Sequence, residues 1–156
     1  MPFYNYYISA SRLVPLQFSD SKLSIRIWIS QSTSIDRVIS INKDIDSTFS
    51  GTLTTFGYKI KRKKPVYEFK VEKIDPVSGH INFLQKLLYL KIDSFKNQEL
   101  SDLVLHQPYK YCIVEFSENK KYNSFIFQLD ANKDVEKFEN LRKLFASEFP
   151  QINFEK

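Results

Sequence analysis

Apolar and polar residues alternate with a period of two along the first half of the chain, the pattern of strands that present different residues to two faces. The clearest run spans residues 23–30, where aliphatic residues lie on one face and mostly polar ones on the other. Three more strands are predicted over 37–41, 49–60 and 66–74. Gly51 is interpreted as marking a bulge in the third of these four strands.

The apolar period changes to that of a helix after residue 74. Asp75–Pro76 signals a helix start, because Asp accepts from free backbone N–H groups and Pro is tolerated at the first helical position. The sequence therefore predicts a helix over 76–90. Its apolar residues recur at helical spacing: Val77, Ile81, Leu84, Leu87 and Leu88.

A hairpin and a closing helix are predicted in the last third of the chain. Strands over 109–116 and 122–129 are joined by a short polar turn. An amphipathic helix capped by Asp130 or Asn132 follows, and it ends before Pro150. Its buried stripe is predicted to contain Val135, Phe138, Leu141, Leu144, Phe145 and Phe149.

The order of these elements, four strands, a helix, a hairpin and a helix, predicts the α+β class. We expect a curved, mostly antiparallel sheet of about six strands with two helices packed on one face. The chain of 156 residues is interpreted as a single domain over 1–156. Residues 1–20 are expected to form a flexible or edge-strand arm, whose aromatic cluster over 3–8 either forms an edge strand or docks a partner.

Three short segments resemble a group of small uncharacterised α+β proteins from Bacteroidota. The matching pieces are Arg26-Ile27-Trp28, Ser50-Gly51-Thr52-Leu53-Thr54, and the hairpin segments 111–116 and 121–125. The resemblance covers residues 23–149 and implies the same order of strands and helices, without an established activity. The chain departs from the group at His106-Gln107-Pro108, where many of those proteins have a Gly-Asp-Gly-like turn.

Composition excludes several function classes. The three glycines are too scattered for a phosphate-binding loop, and no apolar run approaches the roughly 20 residues of a membrane span. The lone Cys112 fits no zinc spacing and is expected to be a buried strand residue. No signal peptide is visible, so a soluble cytoplasmic protein is expected, or a periplasmic or envelope protein if an export signal has been removed.

The formal net charge of +5 is concentrated in one segment. Residues 59–73 contain seven basic and two acidic residues, whereas the remainder of the chain is balanced. The candidate binding site is the basic hairpin between the third and fourth strands: Lys59, Lys61, Arg62, Lys63 and Lys64. Its partner is predicted to be another protein, or, as the alternative, nucleic acid stacked on the flanking aromatic residues Phe56, Tyr58, Tyr67 and Phe69. The remaining interpretation is that the hairpin is a solvated sheet edge without a binding role, and that its aromatic residues belong to the core.

Few residues in the sequence are arranged as a catalytic or metal site would require. His106 and Cys112 are close enough in sequence to allow a dyad, and His80 lies in the first turn of the predicted helix. Asp44-Ile45-Asp46 is the segment most similar to a calcium loop, but it is interpreted as a turn. Glu68 and Glu72 are interpreted as part of a surface stripe of alternating charge. No catalytic residue, metal ligand or cofactor is therefore predicted.

These observations together predict a non-enzymatic binding protein of unknown partner. A bacterial toxin-immunity protein and an envelope accessory factor are two concrete forms of that prediction. A nucleic-acid-binding module that uses the 59–64 hairpin is the alternative, and a small hydrolase is the least favoured interpretation. The sequence leaves the oligomeric state open.

Overall fold

The structure is a computed structural model that describes residues 13–30, 35–98, 110–129 and 136–154. The described strands are β1 (Leu23–Ser30), β2 (Ile35–Lys43), β3 (Phe49–Lys61), β4 (Lys64–Lys73), β5 (Tyr111–Glu118) and β6 (Lys121–Gln128). The described helices are α1 (His80–Tyr89) and α2 (Glu136–Glu148), with short 3-10 turns at Leu16–Phe18 and Ile92–Ser94. The predicted N-terminal aromatic cluster lies outside the described residues.

The six described strands form one antiparallel sheet in the order β4-β3-β2-β1-β5-β6. Sequential strands are neighbours except β4 and β5, because β5 pairs with β1, whose other neighbour is β2. This arrangement confirms the α+β class and the antiparallel sheet. All eight residues of β1 are buried, as expected for the central strand.

Both described helices pack on one face of the sheet, as predicted. The core between them contains the aliphatic face of β1 together with Phe83 and Leu87 of α1. From α2 and the residues after it, the buried members are Phe138, Leu141, Phe145, Phe149, Ile152 and Phe154. The predicted stripe of the closing helix is therefore largely confirmed, although Leu144 is only partly buried and Val135 lies outside the described residues.

The opposite face of the sheet is partly covered by the chain that leads into β1. Leu16 is buried there, and Leu13 packs against a small cluster around Trp28. Residues 13–18 thus form a packed turn on the sheet within the region where an arm over 1–20 is predicted. Beneath this cover the face is unusually polar, with Arg26 and Glu115 buried as direct cross-strand partners.

The predicted helix over 76–90 begins four residues later than expected. Gly79 adopts φ = 84° at the N-cap of α1, a conformation that interrupts a helix before it begins. Leu87 and Phe83 are buried and Leu84 packs against the core, whereas Val77, Ile81 and Leu88 are exposed. The prediction of the helix was correct, but its predicted start was wrong.

Gly51 does not mark a bulge. It pairs regularly with Ile41 of β2, so the predicted irregularity is wrong. A Cβ atom at Gly51 would instead lie 1.9 Å from the carbonyl oxygen of Ile74, where the chain leaves β4. The glycine is needed because another backbone segment passes directly over it.

Glu148 ties the end of α2 to the loop before α1. Its side chain is only 2% exposed and accepts hydrogen bonds from the Ser78 amide and hydroxyl groups at 2.8–2.9 Å and from Lys86 Nζ at 2.6 Å. Desolvation acts to raise the pKa of this carboxyl group. The hydrogen bonds from Lys86 and Ser78 outweigh desolvation and hold its pKa below the usual value.

Replacing Glu148 by Gln is expected to lower the free energy of unfolding at neutral pH by about 1–2 kcal/mol, because the charge-assisted hydrogen bonds are lost. A depressed carboxyl pKa stabilises the folded state above the unfolded-state pKa, and that stabilisation disappears as the pH falls through the folded-state pKa. The difference between wild type and Glu148→Gln should therefore shrink toward zero in acid. Urea unfolding at several pH values measures it. Glu136→Gln, at the exposed start of the same helix, is the control, and equal pH profiles for both variants would contradict the assignment.

Candidate functional site: the basic hairpin arm

Strands β3 and β4 extend beyond the rest of the sheet as a two-stranded arm. β2 pairs with β3 only between Phe49 and Thr55. From Phe56 onward, β4 is the only partner of β3 among the described residues, up to the closing pair of Lys61 and Lys64. Residues 56–69 are called the hairpin arm below.

The tip of the hairpin arm is a two-residue turn formed by Arg62 and Lys63. Both residues have positive φ values, 49° and 63°, which is the backbone conformation of a type I′ turn. This turn normally favours Asn-Gly, because residues with a Cβ atom adopt positive φ at a cost of about 1 kcal/mol each. The chain therefore places two cations where local backbone preference favours other residues.

The structure brings the predicted basic residues together but neutralises one of them. Lys59 lies 2.8 Å from Glu68 across the arm, and this contact raises the pKa of Lys59 and lowers that of Glu68. Farther from the tip, Lys70 lies 2.8 Å from Glu72. Among the described residues, no acidic group forms a salt bridge with the remaining four, although Lys61 helps to lower the pKa of Glu68. These four are called the tip cations below: Lys61, Arg62, Lys63 and Lys64. Positive charge is thus concentrated at the end of the arm.

An apolar stripe runs along one face of the arm toward the body of the protein. Cross-strand register places Phe56 beside Phe69 and Ile60 beside Pro65 on this face. Phe56 also stacks on the buried Trp28, with ring centroids 6.5 Å apart and an interplanar angle of 11°. The base of the arm is therefore anchored to the core of the sheet.

The outer strand of the arm is exposed along its whole length. All ten residues of β4 are exposed, including Tyr67 at 57%, Phe69 at 49% and Val71 at 55%. The expectation that the aromatic residues near the basic run fill the core is therefore wrong for Tyr67 and Phe69. Their alternation indicated a half-buried strand, but β4 is the last described strand of its sheet edge and all of its residues are exposed.

Of the possible dyad of His106 and Cys112, the structure describes Cys112. Cys112 is fully buried in β5, as predicted, and burial raises the pKa of its thiol, with the nearby charge of Asp36 adding to the effect. A buried neutral thiol is a poor nucleophile. His106 lies outside the described residues.

His80 is held by a ring contact and an acid, away from any thiol in the described structure. Its ring stacks on Phe49 at 5.2 Å, and Nε2 lies 3.4 Å from Asp75 Oδ1. The geometry is that of a loose polar contact and does not meet the criteria of a hydrogen bond. This arrangement fits a role in packing the start of α1 against β3.

The acidic turn after β2 is a turn, as predicted. Asp46 Oδ1 accepts hydrogen bonds from the Thr48 amide at 3.0 Å and from its hydroxyl at 2.6 Å, and these bonds lower the pKa of Asp46. Within the described residues, no cluster of three or more His, Cys, Asp or Glu side chains has the arrangement of a metal site. Nor is any helix in the described ranges both long and apolar enough to cross a membrane.

A second concave surface lies between the two helices. The groove has a volume of about 730 Å³ and is lined by Asn82, Lys86, Tyr89, Asn140 and Lys143, among others. It is shallow and open, and Lys86 is already engaged by Glu148. Such an open groove differs from the concave pockets that bury most of the surface of a small ligand.

Fold and site together define an α+β protein with a projecting, positively charged two-stranded arm. Comparison with protein-family models, with curated proteins and with solved structures finds no match. The functional argument therefore depends on the chemistry of the arm.

Proposed function

We propose that this chain is a non-enzymatic binding protein whose hairpin arm inserts the tip cations into an acidic surface of another protein. The observation that carries the proposal is the set of four cations that form no salt bridge among the described residues, at the end of an anchored arm. A cluster of like charge on a projecting surface attracts an acidic partner over long distances and raises the association rate. A bacterial toxin-immunity protein and an envelope accessory factor are concrete forms of this function.

The conformation of the turn supports a binding role. Arg62 and Lys63 occupy positions where Asn and Gly would be favoured, so a cost in backbone energy accompanies the presence of charge at the tip. Backbone strain of this kind is concentrated at sites that bind ligands. The stacking of Phe56 on Trp28 limits the motion of the arm at its base, which reduces the entropy lost on binding.

Nucleic acid is the second candidate, and a separate observation favours it. Tyr67 and Phe69 are exposed on the apolar face of the same arm, where rings can stack on unpaired bases while the tip cations contact phosphates. The two candidates differ in what they require of Tyr67. Stacking on bases needs the ring, whereas a charged protein contact at the tip does not.

Affinity capture from the native host tests the proposal. Wild-type protein should retain a specific acidic protein, and the triple variant Lys61→Glu, Arg62→Glu, Lys63→Glu should weaken its capture by more than about tenfold, because close charge pairs across an interface contribute strongly. The control has the same change in net charge on another exposed cluster, Lys22→Glu, Lys120→Glu, Lys121→Glu. Equal loss of capture in both triple variants would contradict a role for the tip.

Gel shifts with single-stranded oligonucleotides at two salt concentrations separate the candidates. Binding that weakens steeply with salt and falls by about tenfold or more in Tyr67→Ala would favour nucleic acid. No retardation at low salt would eliminate that candidate and leave the protein partner.

A further inference from the structure

Helix α1 carries apolar residues on two faces, and the core covers one of them. Phe83 and Leu87 are buried between the helices and the sheet. On the other face Ile81 is 63% exposed and Leu88 is 48% exposed, and Leu84 between them is only partly buried. These three residues recur at helical spacing, so they form a single stripe along the helix. Ile81, Leu84 and Leu88 are called the outer stripe below.

The outer stripe is free of the charged residues that normally cover the solvent face of a surface helix. Among Asp, Glu, Lys and Arg, the described helix α1 contains only Lys86, whose ammonium group lies 2.6 Å from the buried Glu148 of α2. Tyr89, at the end of the helix, is 87% exposed. A helix that is apolar on its outer as well as its inner face is normally buried on both. The pattern therefore indicates that another molecule covers this face.

The outer stripe is symmetric along the helix. Ile81 lies three residues before Leu84, and Leu88 lies three residues after Gln85, so the midpoint falls between Leu84 and Gln85. An antiparallel second copy, related by a two-fold axis through this midpoint, places Ile81 opposite Leu88 of the second copy. A two-fold interface requires a surface that is complementary to itself in this way.

We infer that the outer stripe is the interface of a homodimer, in which α1 packs antiparallel against α1 of a second copy. Because the stripe is uncharged, two copies can meet there without placing like charges opposite each other, an arrangement that opposes association. The positive N-terminal end of each helix dipole then lies beside the negative C-terminal end of the other. Both the apolar pattern and the electrostatics of the helix thus suit a second copy.

The exposed apolar area agrees with what a dimer needs. Val77, Ile81, Leu88 and Tyr89 together present apolar surface on the order of 400 Å². A specific interface buries about 800 Å² on each partner, and somewhat more than half of this area is apolar. The exposed residues at α1 therefore supply most of the apolar part of such an interface, and the polar residues along the neighbouring groove supply a rim.

Tyr89 supplies an aromatic anchor for the interface. It lines the open groove between α1 and α2, and Ser78 and Asn82 line the same groove near the start of α1. The two-fold axis leaves both grooves on the same side of the dimer, so that each Tyr89 reaches the Ser78 end of the groove of the other copy. Tyrosine is enriched among the residues that dominate interfaces, because it combines a large apolar ring with a polar group. The groove is thus suited to a side chain of a second copy.

Sedimentation velocity over a range of concentrations tests the dimer. Wild type should dimerise, and Ile81→Glu and Leu88→Lys should each weaken dimerisation by about a hundredfold or more, because the symmetry buries each unpaired charge twice. Both variants should fold, since Glu near the start of a helix and Lys near its end interact favourably with the helix dipole. Ile45→Glu is the control. Ile45 is 70% exposed in the turn after β2, so this variant should dimerise like wild type.

The dimer can fail independently of the proposed function, because the tip cations lie outside α1. The triple variant Lys61→Glu, Arg62→Glu, Lys63→Glu should dimerise like wild type. Ile81→Glu should still capture the acidic partner of the tip. Loss of one property without the other therefore shows which of the two proposals is wrong.

An equimolar mixture of the Ile81→Glu and Leu88→Lys proteins tests the antiparallel register. The new carboxylate at position 81 lies opposite the new ammonium group at position 88 of the other chain, so the mixture should form a heterodimer although neither variant dimerises alone. Parallel helices would give no such rescue. A mixture that stays monomeric would contradict the register, and a wild type that stays monomeric at every concentration would overturn the inference. A monomeric wild type that binds vesicles of phosphatidylcholine and phosphatidylglycerol, and loses this binding in Ile81→Glu, would also overturn it and assign the outer stripe to a lipid surface.

Discussion

Replacing Glu115 by Ala is expected to lower the free energy of unfolding by about 3–5 kcal/mol, the range for breaking a buried, hydrogen-bonded charge arrangement. Glu115 is 1% exposed and accepts hydrogen bonds from Trp28 Nε1 at 2.7 Å and from the Tyr122 hydroxyl at 2.9 Å. Its direct cross-strand partner is the buried Arg26. The alanine variant removes a negative charge beside a buried positive one and an acceptor that two donors share.

The effect of Glu115→Ala should extend to the hairpin arm. Trp28 connects the two, because its indole group bonds to Glu115 and its ring stacks on Phe56 at the base of the arm. Circular dichroism in urea measures the loss of stability. Emission of Trp28, the single Trp of the chain, should shift to longer wavelength in the folded variant as its environment becomes wetter. Glu118→Ala, at the end of the same strand, is the control. If Glu118→Ala lost as much stability as Glu115→Ala, the interpretation would be contradicted.

Replacing Gly51 by Ala is expected to lower the free energy of unfolding by about 2–3 kcal/mol, the cost of forcing an extra methyl group into a filled position. The new Cβ atom would meet the Ile74 carbonyl oxygen at 1.9 Å and Ile41 Cδ1 at 3.0 Å. The contact with Ile74 is to backbone, so it cannot be relieved by a change of rotamer. Either β3 or the chain that leaves β4 must move.

Gly57 supplies a matched control for Gly51 in the same strand. A Cβ atom at Gly57 meets nothing within 4 Å, and its φ angle is not positive. Gly57→Ala should therefore leave stability unchanged or raise it by up to about 1 kcal/mol, because alanine restricts the unfolded chain. Urea unfolding followed by Trp28 fluorescence compares the two variants. Similar midpoints for both would show that the close approach of Ile74 does not require glycine.

The sequence predicted the position of the hairpin arm but not the exposure of its aromatic residues. Alternation along 49–60 and 66–74, with the basic run between them, was sufficient to place a hairpin there, because strand periodicity and turn position are local properties. The exposure of Tyr67 and Phe69, in contrast, does not follow from the local sequence. Alternating residues indicate one buried face only if another layer covers that face, and here β3 and β4 extend past β2.

The helix before residue 90 shows a second limit. Helical spacing of apolar residues predicted its existence, but Gly79 at positive φ moved its start, and of the apolar residues only Leu87, together with Phe83, is fully buried. Two stripes of apolar residues lay on the same helix, and the sequence offered no reason to choose between them. In the folded protein, Phe83 packs against Phe145 of α2 and against Phe149.

By itself, the sequence determined the strands, the helices, the α+β class and the position of the basic hairpin, because each follows from periodicity, turn residues or charge along a short stretch of chain. Only the tertiary structure decided which apolar residues are buried, why Gly51 must be glycine, and that Trp28 and Glu115, 87 residues apart, form one buried contact. The reason is physical. Burial and close approach depend on which distant segment occupies the neighbouring space, and this information is absent from any local pattern.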